Sequence, residues 1–264
     1  MMASACAVSS QETSYEQFRG HNQAMTALQP AWMGPLIQSD SRLSQAARIS
    51  VSNMYIPTQT VSYGNNHGVS LIAANRFQFD FDPPAFFRNH CAALKDGFGN
   101  AAAQVKWRLA SGNAEHGNFT LTAMLARSFT PGSQQNGMLT GAFFPKLAAG
   151  RAWGRFNVQT VVDGVLPTGK VTAQGRAVEW NLTAQAHPNA HLWFDIENNA
   201  TFNRGGPFDG KTQNFITPAA FYMVRRRGWE PTHAAVVFDT GMQIATSGFH
   251  LYNHNLISEM RILF

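Results

Sequence analysis

The chain has 264 residues, enough for one sizeable domain, but only 13% of them are charged, well below the roughly one quarter usual in soluble domains. Its mean hydropathy is −0.20 and no run of about 18 apolar residues occurs, which argues against a transmembrane helix. The net charge is +5, yet the basic residues are scattered, which argues against a nucleic-acid partner.

The first seven residues, 1–7, resemble the end of a signal peptide, because Ala3-Ser4-Ala5 fits the small-residue pattern before a cleavage site. The charged and apolar regions that normally precede such a site are missing. We therefore interpret 1–7 as a signal-peptide remnant whose true start lies upstream, with a cytoplasmic N-terminus as the alternative. The two cysteines, Cys6 and Cys91, are spaced neither as a disulfide framework nor as a metal site.

Residues 8–42 show no alternation of apolar and polar side chains. The stretch from Tyr15 to Leu28 predicts a short helix, and Pro30 and Pro35 then interrupt the chain. We expect this segment to be either a periplasmic extension of the domain that follows or a plug inside it.

From Leu43 onward the chain alternates with a period of two, which is typical of strands with two different faces. Val178 and Trp180, for example, share one face, while Glu179 and Asn181 share the other. The pattern predicts about twelve strands, near 43–55, 59–72, 76–83, 98–109, 117–129, 138–149, 154–166, 176–186, 190–203, 211–225, 232–246 and 250–264.

Charged side chains keep to the polar face of these strands, together with many Asn, Gln and Thr. A soluble β-sandwich, which is the alternative, would place mostly Lys, Glu and Arg on its outer face. The strands are also longer than the roughly five or six residues typical of globular sheets. The predicted fold class is therefore all-β: a transmembrane antiparallel up-and-down β-barrel of about twelve strands over 43–264, with a short irregular or helical N-terminal segment.

The last predicted strand places Met260, Ile262 and Phe264 on one face and Glu259 and Arg261 on the other. A terminal aromatic residue on such a strand resembles the C-terminal signal of bacterial outer-membrane barrels. We predict that Met260, Ile262 and Phe264 form this assembly signal and that the chain resides in the bacterial outer membrane. The expected partners are the barrel-assembly machinery, outer-membrane lipids and lipopolysaccharide.

Three short motifs resemble one group of outer-membrane barrels: Asp96-Gly97-Phe98-Gly99-Asn100 followed by Val105-Lys106-Trp107-Arg108-Leu109, Asn75-Arg76-Phe77-Gln78-Phe79, and Leu166-Pro167-Thr168-Gly169. The group is the putative MetA-pathway of phenol degradation family, also called "transporter". The resemblance spans about 43–264, and Asn100 stands where the group usually has an acidic residue. It implies a porin-like barrel that passes aromatic or other small hydrophobic compounds, and it transfers no catalytic residue.

Fifteen side chains are predicted to face the barrel interior and line a pore. They are Asp80, Asp82, Lys106, Arg108, Lys146, Arg155, Asp163, Glu179, Trp193, Asp195, Glu197, Tyr222, Asp239, Glu259 and Arg261. Such charges can stiffen a narrow barrel by pairing with one another, or they can select solutes, and one set of side chains can do both.

Aromatic residues are predicted to divide between the two faces. Trp107, Trp180, Phe194, Phe221 and Phe238 are expected to face lipid. Trp193 and Tyr222 are expected to face inward and to touch an apolar solute. Arg127 falls on the apolar face near a strand end, where its guanidinium can reach lipid phosphates.

Other chemistries find little support in the sequence. His250 and His254 would lie roughly 13 Å apart along one strand, too far to share a metal ion, and Ser258 and His254 are equally far apart for a lipase pair. No cofactor or metal is predicted.

The predicted function is thus passive, porin-like passage of a small-molecule solute without a reaction. The alternatives are a closed structural or lipid-acting barrel, such as a phospholipase, and the soluble sandwich.

Overall fold

The computed structural model describes residues 14–56, 59–64, 68–91, 94–130, 136–225 and 235–264. The predicted signal-peptide remnant 1–7 and Cys6 therefore lie outside the described residues. The chain begins with helix α1 (Ser14–Ala27), close to the helix expected over Tyr15 to Leu28. None of the helices in the described ranges is both long and apolar enough to cross a membrane.

Fifteen strand segments follow α1 in the described residues. They are β1 (Ala46–Tyr55), β2 (Gln59–Tyr63), β3 (Gly68–Ala74), β4 (Phe77–Asp82), β5 (Phe86–Asn89), β6 (Gly97–Phe98), β7 (Ala101–Gly112), β8 (Phe119–Phe129), β9 (Ala142–Trp153), β10 (Phe156–Pro167), β11 (Arg176–Ala186), β12 (Leu192–Arg204), β13 (Thr212–Arg225), β14 (Ala235–Ala245) and β15 (His254–Leu263). A short helix α2 (Val171–Gln174) and a 3-10 turn (Gly206–Phe208) lie in two of the connections.

The segments join into twelve antiparallel strands, because three strands are each made of two segments. β1 pairs with β2 through Val51 to Tyr55 and with β3 through Ala46 to Arg48, so that β2 and β3 continue one another. The same holds for β4 with β5 and for β6 with β7. β1 also pairs with β15 over its whole length, which closes the sheet into a barrel. The predicted twelve-stranded antiparallel barrel is confirmed, and its single closed sheet is not the two packed sheets of a sandwich.

The three interrupted strands are neighbours, and their breaks lie side by side. The breaks fall between Tyr63 and Gly68, between Asp82 and Phe86, and between Phe98 and Ala101. Pro83 and Pro84 occupy the middle break, where neither residue has an N–H to donate to a ladder. The wall at this height is therefore held by fewer backbone hydrogen bonds than elsewhere.

Alternation gives the barrel an apolar outer face. Large apolar side chains on this face are exposed along most strands, including Phe79, Trp107, Leu147, Trp180, Phe194, Ile196 and Phe238. The polar residues between them are buried inside, such as Gln78, Thr122, Gln159 and Thr183. This is the reverse of a water-soluble domain and is the arrangement of barrels that stand in lipid.

Residues 28–45 run through the inside of the barrel. Trp32, Met33, Leu36 and Leu43 in this segment are almost completely buried. Side chains of the wall bind several backbone carbonyls of the segment: the hydroxyl of Thr120 donates to the carbonyl of Ser41 at 2.9 Å, and Gln159 Nε2 donates to the carbonyl of Met33 at 3.2 Å. Because buried backbone groups need partners, these contacts explain how an irregular segment can lie there.

Candidate functional site

The inward face of the barrel carries thirteen of the fifteen side chains predicted to point inside. They are Asp80, Asp82, Lys106, Arg108, Lys146, Asp163, Glu179, Trp193, Asp195, Glu197, Asp239, Glu259 and Arg261. Met260, Ile262 and Phe264, the predicted assembly signal, follow the opposite, outward face of β15 and its end.

Two of the fifteen predictions are wrong. Tyr222 is 54% exposed on the outer face of β13, and its neighbour Phe221, expected to face lipid, is completely buried inside. Arg155 is exposed in the turn between β9 and β10, because that turn lies at Gly154-Arg155 rather than at the predicted 150–153. Arg127 is exposed on the outer face near the end of β8, where its guanidinium packs over Phe129 and Phe143.

An apolar cluster fills part of the interior beside β12, β13, β14 and β15. Its buried members are Trp32, Met33, Leu36, Trp193, Phe221, Met223, Ala235, Val237 and Ile257. The cluster explains the burial of Phe221, because the inward face of β13 packs against apolar side chains of the inner segment and not against water. The alternation of the strands does not predict this cluster, since most of the residues expected to face inward are polar.

The larger cavity in the interior has a volume of about 590 Å³ and lies between the inner segment and the wall. Its lining includes five cations, Arg42, Arg48, Lys106, Lys146 and Arg261, and three carboxylates, Asp40, Asp80 and Asp82. Several of these charges are paired: Lys106 Nζ lies 3.8 Å from Asp80 Oδ2, and Lys146 Nζ lies 3.8 Å from Asp163 Oδ2. A small polar solute in this cavity would meet charge of both signs.

Arg48 is a lining residue that the sequence analysis missed. Among the described residues it has no ion-pair partner within 4.0 Å. Arg48 lies on the same face of β1 as Ser50 and Ser52, which are buried on the inward side. The polar residues at every second position of this strand were the sequence pattern that could have identified Arg48.

Asp40 and Arg42 form an ion pair within the inner segment itself, at 2.8 Å between Oδ2 and Nη2. Burial alone would raise the pKa of Asp40, but the charge and hydrogen bonds of Arg42, together with Lys106, hold it below its ordinary value of 3.8. Lys106 Nζ also donates to the carbonyl of Asp40 at 3.2 Å. The segment is thereby tied to β7.

Arg261 stands at the centre of the most highly charged part of the interior. Its Nε lies 2.7 Å from Asp239 Oδ2 and 2.6 Å from Glu259 Oε1, and its guanidinium lies over the ring of Phe221 at 5.3 Å. The other edge of the guanidinium donates to two carbonyls of the inner segment, Gly34 at 2.7 Å and Pro35 at 2.9 Å.

Glu197 on β12 accepts hydrogen bonds from the backbone amides of the residues that follow Pro35 in the inner segment. The N–H groups of Leu36 and Ile37 donate to Oε1 at 2.6 and 3.0 Å, and that of Gln38 donates to Oε2 at 3.2 Å. The side chain of Gln38 also donates to the hydroxyl of Thr183.

A second cavity of about 390 Å³ lies on the other side of residues 34–38 of the inner segment. Leu36, Ser52, Met54, Tyr252 and Ile257 are among its lining residues, as are Pro83 and Ala85 at one of the breaks in the wall. Ile37, Asp82, Asn100 and Ala102 line both cavities, so the two spaces adjoin beside the inner segment.

The residues considered for a metal site and for a lipase pair have other neighbours in the described part of the chain. There, no three His, Cys, Asp or Glu side chains come together in a way that could hold a metal ion. The hydroxyl of Ser258 contacts that of Thr240 at 3.2 Å, and the ring of His254 stacks on Tyr55 at 4.5 Å. Ser258 therefore faces a hydroxyl and His254 an aromatic ring.

Comparison with known proteins gives likenesses of structure. No protein-family model matches the chain, and no curated protein matches it. An outer membrane channel from Pseudomonas putida F1 aligns with 88% of this chain and 100% of its own, with a TM-score of 0.58 and 12% identity. At that identity the likeness shows a shared barrel fold. Two further structures are more distant. The KdgM porin aligns with 82% of this chain and 98% of its own, with a TM-score of 0.46 and 8% identity. The DcaP channel of Acinetobacter baumannii aligns with 90% of this chain and 69% of its own, with a TM-score of 0.38 and 9% identity.

Proposed function

We propose that this protein is a porin-like channel of the bacterial outer membrane that lets small molecules pass without a reaction. The observation that carries the proposal is the pair of adjoining cavities inside a closed barrel whose outer face is apolar. A barrel with lipid outside and charged, hollow space inside is suited to passing polar solutes down a gradient.

The inner segment 28–45 would narrow this channel without filling it. It occupies the side of β12 to β15, where the apolar cluster packs, and the larger cavity remains beside Lys106, Lys146 and Asp80. The segment is thus our candidate for a built-in plug, the second of the two roles expected for 8–42.

Solutes with an apolar part are the finer proposal. The second cavity combines apolar and polar lining residues, and it reaches the interrupted part of the wall. The apolar ones include Leu36, Met54, Ala85 and Ile257, and the polar ones are Ser52, Asp82, Asn100, Gln243, Tyr252 and Asn255. Small aromatic or hydrophobic compounds, as implied by the resemblance to the phenol-degradation family, would suit such a lining. Outer-membrane lipids, lipopolysaccharide and the barrel-assembly machinery are proposed as partners on the basis of the apolar outer face of the barrel.

The test is single-channel conductance of the refolded protein in planar lipid bilayers. Discrete, stable current steps are expected, with larger steps after removal of residues 1–42. In a KCl gradient, the variant Arg48→Glu should shift the zero-current potential in the direction of cation selectivity, because it reverses a charge of the cavity lining. The channel function would be refuted if neither the full-length nor the shortened protein gives current steps while heat-modifiable gel migration shows a folded barrel. Release of fatty acid from micellar phospholipid would then favour the lipid-acting alternative.

A further inference from the structure

The stretch Gly34 to Gln38 of the inner segment is held by two wall side chains through hydrogen bonds to its backbone. Arg261 donates hydrogen bonds to the carbonyls of Gly34 and Pro35, and Glu197 accepts hydrogen bonds from the next three backbone amides. The cation thus meets acceptors and the carboxylate meets donors along five consecutive residues. Charged hydrogen bonds are the strong ones in proteins, and they are stronger still where water is excluded.

Both wall side chains are themselves fixed. Glu197 is completely buried, and Arg261 is 5% exposed. Asp239 and Glu259 hold the Nε edge of Arg261, while Phe221 supports its plane. The two groups therefore present their donors and acceptors in a preorganised position and do not have to give up other rotamers to bind the segment.

The wall is also shaped to receive the segment. A Cβ atom at Gly241 would lie 2.7 Å from Leu36 Cδ2, and one at Gly150 would lie 2.8 Å from the ring of Trp32. Only a residue without a side chain leaves these two recesses open. Leu36 lies within the stretch that Arg261 and Glu197 hold, and Trp32 lies two residues before it.

This stretch is also what separates the two cavities. Gly34, Pro35 and Gln38 line the larger cavity, Leu36 lines the smaller one, and Ile37 lines both. Any displacement of the stretch toward the periphery would merge the two spaces into one wider passage.

From this geometry we propose that Glu197 and Arg261 are the positioning residues that hold the inner segment as the constriction of the channel and so set its size limit. The inference rests on the proposed channel function and deepens it. When the two contacts are released, the stretch leaves its recesses and the passage admits larger solutes.

The experiment compares the native protein with Glu197→Gln in planar bilayers and in liposome-swelling assays with sugars of increasing size. The amide keeps the shape of the side chain but turns an NH2 toward backbone N–H groups that need an acceptor. We expect larger current steps and a shift of the exclusion limit to larger sugars, and partial recovery of the native limit in Glu197→Asp. Arg261→Lys, which cannot bridge two carbonyls and two carboxylates at once, should act in the same direction. The matched control is Glu115→Gln, the same chemical change at an exposed turn residue.

Heat-modifiable gel migration shows that Glu197→Gln and Arg261→Lys are folded barrels before their currents are recorded. A native conductance and size limit in either folded variant would overturn the positioning role. Absence of current from every variant would instead refute the channel itself.

Discussion

Replacing Arg261 with methionine should be the most damaging single change inside the barrel. The substitution removes the cation that lies 2.7 Å from Asp239 and 2.6 Å from Glu259, and it leaves the carbonyls of Gly34 and Pro35 without their donors. Removing one partner of a buried ion pair typically costs about 3–5 kcal/mol, since the other charge stays buried. Each hydrogen bond from a charged donor adds about 1.5–3 kcal/mol, although such terms are not fully additive. We expect the free energy of unfolding to fall by at least about 4 kcal/mol.

The assay is equilibrium unfolding in urea of the protein in lipid vesicles, followed by tryptophan fluorescence. A triple variant that adds Asp239→Asn and Glu259→Gln to Arg261→Met should recover about half of the loss, because it removes the stranded charges but not the unmet carbonyls. Arg155→Met, which removes a cation from an exposed turn, is the control and should stay within about 0.5 kcal/mol of the native protein. The reasoning is refuted if Arg261→Met costs less than about 1 kcal/mol, or if the triple variant is no more stable than the single one.

Three further predictions concern the inner segment and the two faces of the wall. Gly150→Ala should lower the free energy of unfolding by about 1–3 kcal/mol, because its Cβ would lie 2.8 Å from the ring of Trp32, whereas Gly169→Ala, with 3.5 Å to Thr140, should be close to neutral in the same urea titration. The pKa of Asp40 is lowered in the folded protein, so its pairing with Arg42 stabilises the fold above the ordinary value of 3.8 and that contribution is lost as the pH falls through the folded pKa. Asp40→Asn should therefore flatten the acid limb of a plot of urea midpoint against pH, and an unchanged limb would contradict the assignment. Brominated lipids should quench the fluorescence of the exposed Trp107 but not that of the buried Trp193. The total quenching should therefore fall in Trp107→Phe and not in Trp193→Phe. An equal fall in both variants would argue against the assigned faces.

The strand pattern could be read from the sequence wherever the two faces meet different surroundings. β11 is the clearest case, because Val178 and Trp180 are exposed outside while Thr183 and Gln185 are buried inside, as their alternation indicates. The strand predicted over 59–72 is found as two segments, β2 and β3, which continue one another. Strand number followed from the same rule.

Prediction failed where the interior is locally apolar. β13 carries Phe221, Tyr222 and Met223 in succession, so apolarity alone does not tell the two faces apart. Tyr222 was expected to face inward and to touch an apolar solute, but that part of the interior is filled by Trp32, Met33 and Leu36, and Phe221 is the residue of β13 that packs there. The position of the turn at Gly154-Arg155 was missed for a different reason, since the residues around it alternate on both sides and a register error of a few residues leaves the pattern intact.

The sequence by itself determined strands with one apolar and one charged face, because both follow from a period of two that each strand displays locally. The many Asn, Gln and Thr on the polar face and the length of the strands then favoured a barrel over a sandwich. It left open whether 8–42 lies outside the barrel or within it, since residues 28–45 lack any periodicity and their partners are distant in the chain. Only the tertiary structure placed Leu36 against Gly241, and Arg261 and Glu197 on the backbone between Gly34 and Gln38. Those contacts join residues about 160 to 230 positions apart and engage main-chain groups, which every residue carries and which therefore leave no mark in the sequence.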